Sequence, residues 1–208
     1  MKKLIFKKII VKISCLVLFG MSPFLYAGAQ RHERLTIEEL TILKSNLSIN
    51  KGSFSVVFAD PTQATAWIET MSLRLKPHIK DEFTRLQFLK EVHYQATRAG
   101  LDPQLVLGLI QVESGFKKYV ISVAGARGYM QVMPFWIKEI GTPKDNLFDL
   151  STNLRYGCAI LRFYLNKERG NLFRALGRYN GSLGKAAYPS SVLGSWRKFW
   201  YYTDQKIN

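Results

Sequence analysis

The sequence predicts a mainly α-helical protein, and three observations carry that prediction. Apolar residues recur at helical spacing, capping and stop residues bracket those stretches, and no run alternates convincingly enough to demand a large sheet. The 208 residues, 47% apolar and 13% aromatic, suit one or two globular domains with a sizeable core. They exclude a disordered tail, a mini-protein, and a collagen, coiled-coil or low-complexity chain, and nothing repeats at a fixed period.

The elements follow in order. Residues 1–29 read as a signal peptide: Met1 to Lys8 is a basic start, Ile13 to Tyr26 is mostly apolar but short for a membrane span, and Ala27-Gly28-Ala29 offers a small-x-small cleavage site. Cleavage there makes Gln30 the mature start and exports the body of the chain. An uncleaved anchor over Ile9 to Tyr26 is disfavoured by Lys12 and Pro23, and Cys15 lacks the apolar approach that a lipid-attachment box needs. Cys158 is then the remaining cysteine, so no internal disulfide is expected; among Leu154, Ala159, Ile160 and Leu161 it reads as a buried apolar residue.

Residues 30–53 read as a polar linker with one short helix near Ile37 to Leu43, and residues 54–80 as an N-terminal helical extension. In that extension Asp60 caps, Pro61 fits a first turn, and Ala64, Trp67, Ile68, Met71 and Leu75 share a face until Pro77 stops the helix. A main domain over residues 81–205 opens with a helix over Glu82 to Ala99, its inward face Leu86, Leu89, Val92, Ala96 and Ala99, its stop Gly100. Asp102-Pro103 then begins a nearly all-apolar helix, Gln104 to Glu113, that should be central and buried. Further helices are expected at Pro134 to Ile140, Ser151 to Lys167, Leu172 to Tyr179 and Val192 to Tyr202.

One residue breaks the pattern. Val106, Ile110 and Glu113 lie on one stripe of the apolar helix, so a carboxylate falls where hydrophobes belong. Poor solvation there favours the neutral acid and raises its pKa, the condition for donating a proton near neutral pH. The alternative is a helix-terminal glutamate reaching water over Ser114-Gly115. After it, Ser122 to Pro134 forms a Gly-punctuated loop in which Gly125 and Gly128 permit close approach, Met130 can wall a groove, and Gln131 can donate to and accept from hydroxyl or acetamido groups. An ordinary interhelical loop with Gln131 as a cap has the same composition. Near the end, Tyr179 shares a face with Leu172 and Leu176; its hydroxyl can reach a buried carboxyl group, and Asn180 can bind a sugar amide or simply cap the helix.

In this order and spacing, Glu113-Ser114, Ser122-x-x-Gly125-Ala126-x-Gly128-x-Met130-Gln131, Asn153-Leu154-x-x-Gly157 and Ala175-x-x-x-Tyr179-Asn180 resemble the soluble lytic transglycosylases, lysozyme-like enzymes that cleave peptidoglycan. The resemblance spans about Leu86 to Val192 and implies a lysozyme-like α domain as the catalytic unit, working in the periplasm. It implies Glu113 as catalytic acid and Tyr179 as the hydroxyl that orients it, with Ser114, Ser122, Met130, Gln131 and Asn180 around the bound glycan. Tyr129, Arg178 and Ser182 depart from the residues usual in the family and bear on subsite preference.

Most glycosidases use two carboxylates. After Glu113 the acids are Glu139, Asp145, Asp149, Glu168 and Asp204; Asp149 reads as a helix cap and the others fall in polar surroundings. The resemblance implies a reaction that needs only one: Glu113 protonates the oxygen between N-acetylmuramic acid and N-acetylglucosamine, then takes the C6 hydroxyl proton so that a 1,6-anhydro ring closes. No metal or organic cofactor is called for. The competitors are a hydrolytic muramidase, with Asp145 or Asp149 activating water, and a non-catalytic wall-binding protein.

Charge discriminates weakly. The chain has 30 Lys+Arg against 15 Asp+Glu, and the leader holds five Lys and no acid, so 25 bases against 15 acids leave +10 after processing. That balance suits an anionic wall polymer, while export and the lack of a helix-turn-helix, zinc or aromatic-basic motif argue against nucleic acid. The expected partners are glycan strands and envelope or wall-assembly proteins, with the chain itself a monomer.

Overall fold

A computed structural model describes residues 30, 32–48 and 61–203. The expected leader (1–29), the whole stretch between the first two helices (49–60) with the Asp60 cap, and residues 204–205 lie outside the described residues. Within them the chain is α-helical: α1 (Ile37–Ser48), α2 (Pro61–Leu75), α3 (Glu82–Arg98), α4 (Pro103–Ser114), α5 (Phe135–Ile140), α6 (Leu150–Lys167), α7 (Leu172–Tyr179) and α8 (Ala187–Ser195). A π-helical turn, Trp196–Trp200, follows α8. Extended pairing among the described residues is confined to isolated bridges from Arg127 to Ile121 and Val132.

Caps set most of these boundaries. Asp81, Asp102, Asp149 and Asn171 each accept a main-chain N–H of the first turn they open, at 2.7, 2.7, 2.9 and 3.1 Å. Gly115, at φ +58°, ends α4 in the left-handed region that its missing Cβ permits. Between α2 and α3 the turn is braced by Arg85, which donates from Nε to Ser72 Oγ at 2.8 Å and from Nη1 to the carbonyls of Ile79 and Lys80.

Helix α4 is the axis of the core. Val106, Leu107, Leu109 and Ile110 have no exposed surface, because α3 covers one side of the helix and α8 with the π turn covers another. Gly108 makes the second contact close: a Cβ there would stand 2.8 Å from the Trp196 nitrogen and 2.9 Å from its Cα. Helix α3 is buried on several sides, against α2, α4 and α6. It therefore hides Phe88, Arg85, Glu91, His93 and Gln95 as well as the expected Leu89, Val92 and Ala96, while Leu86 and Ala99 are only half-buried.

Two segments differ from the sequence expectation. Residues 30 and 32–48, within the segment read as a linker with a short helix, are folded onto the body: α1 runs to Ser48, packs on α5 and α6, and buries Leu43 and Leu47. Burying a leucine contributes up to about 2–3 kcal/mol, enough with the polar clips below to hold a 12-residue helix. Glu33 pairs with Arg178 at 3.0 Å, Glu39 with Lys167 at 3.0 Å, and the Gln30 amide oxygen accepts from Met133 N and Trp136 Nε1. The last helix starts not at Val192 but at Ala187, since Pro189 falls in its first turn, where a missing N–H costs nothing. That shift places Tyr188 on a helix rather than in a loop.

Candidate active site

Glu113 lies one residue before the end of α4 and is 2% exposed. Its Oε1 accepts a 2.5 Å hydrogen bond from the Tyr188 hydroxyl, brought across by the α4–α8 packing, while Oε2 is buried without a hydrogen-bond partner. Burial pushes the carboxyl pKa from its ordinary 4.5 to about 8, with the Tyr188 bond opposing part of the rise. Burial and the neighbouring Glu113 charge hold the Tyr188 hydroxyl well above its ordinary range, so it remains a donor. The site thus holds a carboxylic acid that is neutral at pH 7 with one oxygen fixed and the other unengaged.

The hydroxyl on Glu113 is therefore that of Tyr188 and not, as expected, that of Tyr179. Tyr179 is fully buried nearby and donates instead to the Met130 carbonyl at 2.7 Å. Asn153 of α6 holds the same peptide from the other side: its Oδ1 accepts from Met130 N at 2.8 Å, and its Nδ2 donates to the carbonyls of Arg127 and Leu147. Two helices thereby clamp the Gly-punctuated loop at Met130, whose side chain packs so closely on α6 that a Cβ at Gly157 would meet its sulfur at 2.4 Å. Met130 is a buried wedge under the loop rather than an open wall.

The remaining expected site residues shape the loop as well. Gln131 adopts φ +49° and donates from Nε2 to the carbonyls of Val120 and Gly128, at 3.1 and 2.9 Å; its Oε1 is buried and unpartnered. Ser122 Oγ accepts from Ala126 N at 3.0 Å and closes the turn that Gly125 makes at φ +91°. Ser114 donates back to the Ile110 carbonyl within α4, and Asn180 is the buried C-terminal cap of α7. Glu113, Tyr188, Tyr179 and the loop around Met130 form one neighbourhood; Ser114 faces into its own helix. Cys158 is buried, and burial raises its thiol pKa far above the ordinary value, which excludes a resting thiolate.

Two other carboxylates named from the sequence have structural employment. Asp149 caps α6 through Thr152 N, and Asp145 accepts from Tyr156 at 2.6 Å, Arg155 at 3.1 Å and Thr142 N at 3.0 Å. Burial pushes the Asp145 carboxyl up, but the hydrogen bonds from Tyr156, Thr142 N and Arg155 and the Arg155 charge together outweigh it and hold the group below its ordinary range, the wrong direction for a proton acceptor near pH 7.

Residues 91–190 match the family described as the transglycosylase SLT domain. Among curated proteins, a transglycosylase of Enterobacteria phage PRD1 is 33% identical over 115 residues, covering 52% of this chain and 42% of its own length. Membrane-bound lytic murein transglycosylase C of Mannheimia succiniciproducens is 38% identical over 90 residues, 39% of this chain and 25% of that protein. The protein of the same name from Edwardsiella ictaluri is 31% identical over 133 residues, 56% and 37% of the two chains. The chain spans less than half the length of these relatives.

Proposed function

We propose that the chain, whose residues 91–190 match the transglycosylase SLT domain, is a member of that family and cleaves the β-1,4 bond between N-acetylmuramic acid and N-acetylglucosamine in peptidoglycan without water. The observation that carries this reading is the setting of Glu113: buried, with its pKa raised to about 8, one oxygen on Tyr188 and the other unengaged. In the first step the neutral carboxyl gives its proton to the bridging oxygen while the bond from that oxygen to the muramoyl C1 breaks, its electron pair leaving with the oxygen. Positive charge develops at C1, where the substrate acetamido oxygen can assist. The Tyr188 hydroxyl then stabilises the new carboxylate and fixes its rotamer. In the second step that carboxylate takes the proton of the C6 hydroxyl as O6 bonds to C1, which restores the neutral acid and leaves a 1,6-anhydromuramoyl end.

A hydrolytic muramidase needs a second carboxylate to activate water, and the engagement of Asp145 and Asp149 in caps and ion pairs speaks against it. A purely structural glutamate would have both buried oxygens satisfied, which speaks against a binding-only protein. The names of the relatives support the same substrate, and the leader pattern supports export and action on glycan strands in the periplasm. Among the described residues no helix is long and apolar enough to cross a membrane. Mass spectrometry of muropeptides released from purified peptidoglycan tests the reading. Products lighter by one water than hydrolytic ends, absent with Glu113→Gln, are expected; reducing ends would make the protein a hydrolase.

A further inference from the structure

On the face built by α1, α3 and α6, three arginines converge on a recess of about 60 Å³. Arg98 comes from the last turn of α3, and Arg155 and Arg162 stand seven residues apart on one side of α6. Asn46, Gln95, Ala99 and Ala159 complete the lining, so no carboxylate faces the recess.

The arginines are held there by neutral acceptors. Arg98 donates from Nη2 to the carbonyls of Asn46 and Leu47 at 2.7 and 3.0 Å and from Nη1 to Gln95 Oε1 at 3.3 Å; its Nε–H is buried without an acceptor. Arg162 donates from Nε to the Ala99 carbonyl at 2.7 Å and from Nη2 to that of Gly100. These carbonyls belong to the C-terminal ends of α1 and α3, whose dipoles supply a partial negative charge of about half a unit each. Arg155 alone meets an acid, Asp145, which Tyr156 and Thr142 share. Glu91, lower on α3, is turned to Gln95 Nε2 at 2.8 Å. Three guanidiniums therefore face one engaged carboxylate and two helix ends, and burial together with Arg155 already lowers the proton affinity of Arg98. A half-buried cation cluster without its counter-charge is costly, and an anion is what relieves it.

We propose that this recess binds a small tetrahedral oxyanion of the phosphate class. Planar guanidinium forks from several directions match phosphate oxygens better than a point charge does. The volume matches about two liquid waters or one such anion. A bound oxyanion gives Arg98 Nε its missing acceptor and ties the end of α1, through Arg98, to α3 and α6.

The test is a titration of the intact protein with inorganic phosphate, read by arginine Nε resonances and by melting temperature, against sodium chloride at equal ionic strength. Saturable shifts at Arg98, Arg155 and Arg162 with a raised melting temperature are expected, and Arg98→Gln should weaken the apparent affinity roughly tenfold or more. Should Arg98→Gln fail to fold, Arg162→Lys, which keeps the charge and loses the fork, is expected to weaken binding as well. Dimethyl phosphate identifies the source: tighter binding than inorganic phosphate assigns a phosphodiester of an envelope molecule, the reverse assigns free phosphate. No saturation, an equal response to chloride, binding of acetate as tight as that of phosphate, or unchanged affinity in a folded variant would overturn the proposal.

Discussion

The α4–α8 junction and the α3–α6 side of the core each bury a glutamate, and the two are satisfied differently. Glu91, 4% exposed in the middle of α3, accepts from Gln95 one turn on in the same helix, and neither of its oxygens is left both buried and unpartnered. Glu113, 2% exposed at the end of α4, takes its donor from Tyr188, 75 residues away, and keeps Oε2 bare. Burial alone does not make a proton donor. A carboxyl group held locally on its own helix is a structural part, whereas one held from across a helix–helix packing with an oxygen to spare is poised to react.

The comparison breaks most readily at its two acids. Glu113→Gln should lower turnover of purified peptidoglycan by roughly 10²- to 10⁴-fold, the usual share of general acid–base catalysis, while Glu91→Gln should change it less than about threefold at a temperature where both variants remain folded. Equal losses in the two variants would mean that burial, not the free oxygen, marks the reactive group.

On the structural side the largest single effect should come from Asn153. It serves Met130 N and the carbonyls of Arg127 and Leu147 from a site with no exposure. Asn153→Ala leaves two buried groups and one part-buried group unmet and should cost about 2–4 kcal/mol, read as a melting temperature lower by several degrees. A loss of activity without that fall in stability would give Asn153 a part in the reaction instead.

Much of this was legible in the chain. The cap-and-proline signature Asp102-Pro103 and the apolar run behind it mark α4, and Glu113 stands out because it interrupts a stripe whose period is already established. The partner of Glu113 was not legible by the same route. The family resemblance implies the role for Tyr179, and the helical pattern reports only that this residue faces inward, where it donates to the Met130 carbonyl. Tyr188 lies beside Pro189, which reads as a break although a proline in a first turn is a helix start; that alternative was the available signal. Similarly, Thr36-Ile-Glu-Glu39 is a reciprocal capping box, with bonds of 2.9 and 3.1 Å, hidden in a segment whose polarity suggested a linker. The arginine recess had no sequence signal, because residues 46, 98, 155 and 162 meet only through tertiary packing.

The two tyrosines sharpen the comparison at a finer scale. Tyr188→Phe removes the one bond that lowers the Glu113 pKa, so turnover should fall roughly tenfold, the worth of one hydrogen bond to a charged group, and the alkaline limb of the pH profile should move upward from about 8. Tyr179→Phe leaves the Met130 carbonyl short of a donor and should lower the melting temperature with no movement of that limb. A shifted limb in Tyr179→Phe would return the orienting role to that residue.

The smallest expected effect lies in stability against pH. The folded-state pKa of Glu113, about 8, exceeds its ordinary 4.5, so between these values the native protein keeps a proton that the unfolded chain has released. The unfolded state then binds fewer protons, and stability falls as pH rises through that window. Below it both states are neutral at this site; above it both are charged and the penalty is constant. Glutamine carries no such penalty, so Glu113→Gln should melt at about the wild-type temperature near pH 4 and a few degrees above it near pH 9. A gap that closes with rising pH would mean that the Glu113 carboxylate is stabilised by its surroundings, and that the bare oxygen is a consequence of the fold rather than the seat of its chemistry.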